Sequence, residues 1–178
     1  LEEHFLNILR NSEIFTASGG ARGIDQAAHR LSLRTQKPTV AFLPAGLGQM
    51  YPADFKHWRA SIVDQGGAIV SEYPPAMVMY KGHFHRRNRM IAALGRALFV
   101  VEAARKSGSL ITARFALELG RPICVLPASA LEPKAMGTLD LLFDGASPIR
   151  DATDLFSFLN LTPKFNARLS ANWQKPPA

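Results

Sequence analysis

The run Ala97-Leu98-Phe99-Val100-Val101 is apolar throughout, with no polar residue at alternate positions. A strand of this kind needs cover on both faces, as a parallel sheet between helical layers provides. Strand-like runs recur at Glu13–Ala17, Thr39–Leu43, Ala68–Ser71, Ile123–Leu126 and Ser147–Ile149. Helical patterns lie between and after them, near Ile24–Arg34, Ala53–Gln65, Arg87–Leu94, Leu110–Leu119, Thr138–Phe143 and Thr153–Leu159. Strand, helix, strand repeated in this way predicts an α/β fold with a doubly wound, mostly parallel sheet flanked by helices. Sheets of that class bind ligands at the carboxyl ends of their strands, so the loops there carry the functional argument.

The first such loop is Ser18-Gly19-Gly20-Ala21-Arg22-Gly23-Ile24-Asp25. Its glycines and serine allow backbone N–H groups to approach an anion where a helix begins, and Arg22 offers a forked contact to phosphate. The plainer reading is a tight turn with a solvent-facing arginine, and Asp25 as a helix-starting acid. The second loop, Pro44-Ala45-Gly46-Leu47-Gly48-Gln49-Met50-Tyr51-Pro52, puts Tyr51 where a dinucleotide fingerprint needs its third glycine. It is therefore read as a structural loop at the edge of the site. Glu72-Tyr73-Pro74-Pro75 reads as extended and turn-forming, with Glu72 a loop acid.

Charge is concentrated rather than spread. Residues 81–121 hold nine Lys or Arg against two acids, which accounts for the whole formal net charge of +7. The cations cluster in two motifs, His85-Arg86-Arg87-Asn88-Arg89 and Arg105-Lys106-Ser107-Gly108-Ser109-Leu110-Ile111-Thr112. Such a local field suits a polyanion, with phosphate the obvious one. Arginines at the start of a helix near Arg87 oppose the macrodipole, a placement that an anion among them would relieve. Phe84 offers a ring on which a base can stack, and the arginine planes can do likewise. A solvated basic face is the alternative. Ser107 and Ser109 around Gly108, with Lys106 beside them, fit a phosphate cradle at a helix N-terminus, or an ordinary serine cap at Ser109. His83 and His85 lack further ligands nearby and read as polar loop residues, so no metal is expected.

Other features set limits. The length of 178 residues fits one domain with a real core. The single Cys124 sits in an apolar run and is expected in that core rather than as a nucleophile. One cysteine forms no internal disulfide framework, which fits a reducing, cytoplasmic setting. No apolar run is long enough to span a bilayer, and no signal peptide is visible. The chain has no initiator Met and opens in a helical pattern, so a preceding N-terminal portion is expected. Beyond about residue 160 the pattern fades into a tail, 161–178, with Trp173 as a candidate anchor.

Taken in order, SGGARGID, GLGQMYP, SEYPP, FHRRNRMIA, LFVVEAARKSGSLITA, ALELGRPICVLP and GTLDLLFDGA form a set. Over roughly residues 13–150 this set resembles the bacterial DprA/Smf family of DNA-processing proteins. The resemblance implies a Rossmann-like domain over residues 1–160, lacking its usual first strand, with no known catalysis and no cofactor. It implies binding of single-stranded DNA, protection of incoming strands in natural transformation, loading of the RecA recombinase, and homodimer formation. Carried over by position, Arg22 and Gly23 would contact phosphate. Lys81, Phe84, Arg86, Arg87, Asn88 and Arg89 would form a basic, base-stacking wall. Lys106, Ser107, Gly108, Ser109 and Thr112 would line the pocket floor. The chain departs from the family pattern at His85, Gly20 and the PASALEP segment after Leu126.

A nucleotide or phosphosugar-binding enzyme is the competing reading. The cytokinin-activating phosphoribohydrolases share a similar fold and carry a Pro-Gly-Gly-x-Gly-Thr-x-x-Glu loop at the position of Ser107–Thr112. Aligning Thr112 with that threonine puts Phe115 at the glutamate position. An apolar ring cannot supply the carboxylate's electrostatic work at a ribose.

Overall fold

The computed structural model describes Arg10 and residues 12–161; the tail from residue 162 onward, with Trp173, lies outside the described residues. In chain order the elements begin with β1 (Thr16–Ser18), α1 (Ile24–Arg34) and β2 (Thr39–Phe42). A 3-10 segment at Ala53–Trp58 then runs into α2 (Arg59–Asp64), followed by β3 (Ala68–Val70) and α3 (Lys81–Leu94). The second half holds β4 (Leu98–Val100), α4 (Gly108–Glu118), β5 (Ile123–Val125), α5 (Met136–Phe143), β6 (Ser147–Pro148) and α6 (Ala152–Phe158). A short 3-10 turn, Pro133–Ala135, leads into α5.

Every strand pair is parallel, as the continuous apolar runs require. The strands form two ladders of three, β1-β2-β3 and β4-β5-β6, rather than one ladder of six. Val40 faces Ala68 across the first ladder, and Phe99 faces Cys124 across the second. Helix α3 carries the chain from one to the other and packs along α4. Ala92, Ala113 and Ala116 are buried in the cluster that α3 and α4 share with Val100, Ile123 and Val125. Small side chains of this kind let helix backbones come close. The two halves share a second cluster, in which Leu31 of α1 packs with Cys124, Ile149, Leu155 and Phe156. Cys124 is 1% exposed, and burial pushes its thiol pKa up to about 12, so it is a core residue and not a nucleophile.

The first ladder contains a polar network that the apolar pattern gave no sign of. Thr16 Oγ1 lies 2.8 Å from Ser32 Oγ and 2.7 Å from Thr39 Oγ1. His29 Nδ1 lies 2.7 Å from the same Thr39 hydroxyl, while its Nε2 is buried without a partner. The ring meets Phe55 edge-on at 5.5 Å. Desolvation there lowers the His29 pKa from 6.5 to about 4, outweighing the attraction of Asp25. The native state holds this ring neutral, whereas the unfolded chain protonates it below pH 6.5. Stability from His29 is therefore complete above pH 6.5 and is lost as pH falls toward 4, by up to about 3 kcal/mol at 1.36 kcal/mol per unit. Asp154, held down to about pH 2 by Arg150, begins to cost stability only below about pH 4. Thermal unfolding of the wild type and His29→Gln between pH 7.5 and 4.5 checks this. The wild type should lose stability across that window, and the variant should lose clearly less.

Candidate nucleic-acid interface

The basic motif lies on α3, which begins at Lys81, six residues before the expected start. The early start depends on tertiary contacts that outweigh the weak helix preference of Gly82, His83 and His85. Tyr80 is extended, and the His83 amide donates to the Tyr80 carbonyl at 2.9 Å. The His83 ring stacks on Tyr73 at 3.9 Å, and its Nδ1 lies 3.0 Å from the Pro44 carbonyl. Nδ1 also lies 3.4 Å from the Tyr80 amide, so His83 is a strut between loops. The three arginines consequently sit in the second and third turns, where the macrodipole argument does not apply. Lys81 is the cation in the first turn, and no acid accompanies it there.

Helical periodicity sorts the motif by face. Arg86 and Arg89 are exposed, Phe84 is half-buried, and Arg87 and Asn88 are buried. Arg87, expected on the stacking wall, is 3% exposed and points inward. Its Nη1 donates to the Phe42 carbonyl at 3.1 Å and lies 3.8 Å from Asp25. Burial lowers its pKa, with Asp25 opposing the shift. A Cβ added at Gly19 would fall 1.3 Å from that Nη1. Gly19 is therefore glycine because a guanidinium fills the space a side chain would take. Of the loop's glycines, expected to let backbone N–H groups approach an external anion, Gly19 and Gly20 make room for the side chains of Arg87 and Phe55, whereas Gly23 faces open space. Asp25 closes the same loop by accepting from the Ser18 hydroxyl at 2.8 Å and the Ala21 amide at 3.2 Å.

Asn88 is likewise an internal tie: its Nδ2 donates to the Gly108 carbonyl at 3.2 Å, joining α3 to the start of α4. The cap of α4 is Ser107 rather than Ser109, with Ser107 Oγ accepting from the Ser109 amide at 3.2 Å. Thr112 is buried within α4, whereas Lys106 and Gly108 are exposed. Arg105 is engaged in a fork with Asp140, at 2.8 and 3.1 Å, which holds the Asp140 carboxyl below its usual range. That leaves Lys106 as the available cation of its loop.

The exposed cations fall into two groups. Arg22 reaches Asp54 at 3.5 Å with its side chain 79% exposed, and Arg89 pairs with Glu72. Lys81, Arg86 and Lys106 make no ion pair among the described residues. The second loop is locked to the third. The Gly46 amide donates to Met77 at 2.8 Å and the Gly48 amide to Pro75 at 2.9 Å. A Cβ at Gly46 would lie 2.0 Å from the Pro74 carbonyl, so this close approach requires glycine. The loop ends by placing Tyr51, 42% exposed, edge-on to Phe84 with ring centroids 5.9 Å apart. Sequence reasoning passed over Tyr51 and Asp54; the only cue was an aromatic ending a glycine loop.

Arg22, Tyr51 and Lys106 follow the carboxyl ends of β1, β2 and β4, and the exposed Lys81 and Arg86 lie on α3 with the half-buried Phe84. No cluster of three or more metal-ligating side chains occurs among the described residues. His85 packs against Phe115 at 5.2 Å, and Glu118, the first acid after Phe115 on α4, is exposed beside Arg114 at 3.7 Å. No helix among the described residues is long and apolar enough to cross a membrane.

Comparison with known proteins places these features in a wider group. The family model for DNA recombination-mediator protein A matches residues 1–160. Protein Smf of Escherichia coli is 38% identical over 155 residues, covering 87% of this chain and 41% of that protein. The DNA processing protein DprA of Bacillus subtilis is 37% identical over 142 residues, covering 80% of this chain and 48% of that protein. The chain thus spans less than half the length of either relative. The X-ray structure of DprA from Streptococcus pneumoniae superposes with a TM-score of 0.79 at 36% identity, covering 88% of this chain and 54% of that one. A DprA structure from Helicobacter pylori, described for its single-stranded DNA binding mode, gives 0.76 at 31% identity, covering 89% and 73%.

Proposed function

The chain belongs to the DNA recombination-mediator protein A family, and from that premise we propose that it binds single-stranded DNA across the carboxyl-end surface. The observation that carries this reading is the occurrence of Lys81, Arg86 and Lys106, exposed and without acid partners among the described residues, within the 81–121 segment that also holds Phe84. Lysine and arginine heads track phosphates, and an accessible ring stacks bases without regard to sequence. Arg22 and Arg89 join when phosphate displaces Asp54 and Glu72, since exposed pairs of this kind hold by about 1 kcal/mol or less. Gly23, Ser107, Gly108 and Ser109 supply the exposed or half-exposed backbone beside these cations. Arg87 and Asn88 act from inside, by fixing the loops, and Thr112 is buried within α4.

The binding described for the Helicobacter pylori relative supports the same ligand. Function in this reading is non-catalytic: the strand is held and protected, and RecA recombinase is loaded onto it in the cytoplasm. A second copy of the chain completes the working unit. Anisotropy of a labelled dT oligonucleotide, titrated at two salt concentrations, tests the core of the proposal. The expected result is salt-sensitive binding, with a log–log slope near −0.7 per phosphate engaged. Duplex and a nucleoside monophosphate should compete poorly. Displacement or turnover of the monophosphate without strand binding would refute it.

A further inference from the structure

Between Gln26 and Val63 the chain holds five Lys or Arg and a single acid, Asp54, and that acid is engaged by Arg22 at 3.5 Å. Two of these cations, Lys56 and Arg59, sit where the 3-10 segment runs into α2. Three residues apart, they lie on one face, and both are exposed. Neither makes an ion pair among the described residues, and the next acid, Asp64, ends α2 and pairs with neither. The inward residues hold the segment in place. Phe55 is fully buried, edge-on to His29, and fills the space beside Gly20 in the first loop. Trp58 stacks parallel to Phe55 at 6.2 Å and has the exposed Arg30 of α1 over its ring at 5.9 Å. Arg30 is thereby drawn to the same segment whose first turn meets Arg22 through Asp54.

We propose that Lys56, Arg59 and Arg30 form a second phosphate-binding patch, which leads a bound single strand onward from Arg22 over the 3-10 segment and α1. The proposal rests on the single-strand reading above and extends it beyond the carboxyl-end surface. A strand is a continuous polyanion, so cations that follow one another along a fixed segment add phosphate contacts without reading bases. Asp54 gives the path its direction. A phosphate that displaces it from Arg22 stands at the first turn of the segment, and Lys56 follows two residues later. A strand long enough to run past Arg22 gains these contacts, whereas a short one ends before them.

The test compares the whole chain with the double variant Lys56→Ala, Arg59→Ala. Each is titrated with dT strands of about 5 and about 20 nucleotides, lengths on either side of a typical single-strand site. On the long strand the double variant should lose about 25-fold in affinity at 0.1 M salt, and its log–log salt slope should shrink by about 1.4, from two contacts at roughly 0.7 each. On the short strand it should bind like the wild type. The charge-keeping exchange Lys56→Arg, Arg59→Lys should match the wild type on both lengths. Equal losses on both lengths would place the two cations in the first site and overturn the proposal. Full long-strand affinity in the double variant would overturn it too, and lost binding of a polyglutamate peptide by that variant would then give the patch to an acidic protein partner. Failure of the wild type to bind either strand would instead overturn the single-strand reading itself, and the second patch with it.

Discussion

Arg87→Ala is expected to lower the unfolding free energy by about 3 kcal/mol, although the residue belongs to a motif that looks like a ligand-binding surface. The substitution removes the donor to the Phe42 carbonyl and the nearby cation of Asp25. It also empties the space beside Gly19. A buried acceptor and a partly buried carboxylate lose their partners together, which costs more than the interactions contributed when intact. Gly19→Ala should destabilise by a comparable amount, because its methyl group would collide with the guanidinium. The double variant should then be less destabilised than the sum of the two, since removing Arg87 makes room for the methyl group. Urea unfolding of the four proteins measures this coupling. Simple additivity would mean that Gly19 and Arg87 do not share that space.

The second large effect concerns binding and should leave the fold intact. Replacing Lys81, Arg86 and Lys106 together by alanine removes exposed cations that have no acid partner among the described residues. Stability should therefore move by no more than about 0.5 kcal/mol. Strand affinity should fall about 100-fold at 0.1 M salt, and the log–log salt slope should shrink by about 2, from three lost phosphate contacts at roughly 0.7 each. The two readouts need each other. A loss of affinity with an unchanged slope would mean that the lysines and arginine act by some means other than meeting phosphate.

The contrast between these two experiments shows what the sequence could convey. Charge, spacing and aromatic interleaving were legible, and they pointed to the surface proposed to bind the strand. Burial was not: Arg86, Arg87 and Arg89 are equivalent letters in a basic run, and only the helix register separates the inward one from the outward pair. The clue to Arg87 lay 68 positions away, at Gly19, whose missing side chain has a reason only in three dimensions. The start of α3 was missed for the same kind of reason, because His83 is held by Pro44 and Tyr73 rather than by neighbours in sequence. By contrast, α1 has the bounds its pattern suggested, and five of the six strands fall within the runs that foretold them while β1 reaches one residue past its run to Ser18, each shorter than its run by a residue or more. Apolar periodicity is a local signal, and these elements answer to local rules. Tyr51 fell between the two: its loop was read correctly as structural, but its ring faces a helix encoded some 30 residues later.

The most direct test of the central claim is photo-cross-linking of a 5-iododeoxyuridine strand to the chain, with the linked residues identified by mass spectrometry. The account predicts adducts at Phe84, within the face bounded by Arg22, Lys81 and Lys106. Adducts confined to the opposite end would contradict it. There a cleft of about 220 Å³ lies between Leu117, Arg121 and Phe158, at the amino ends of β5 and β6.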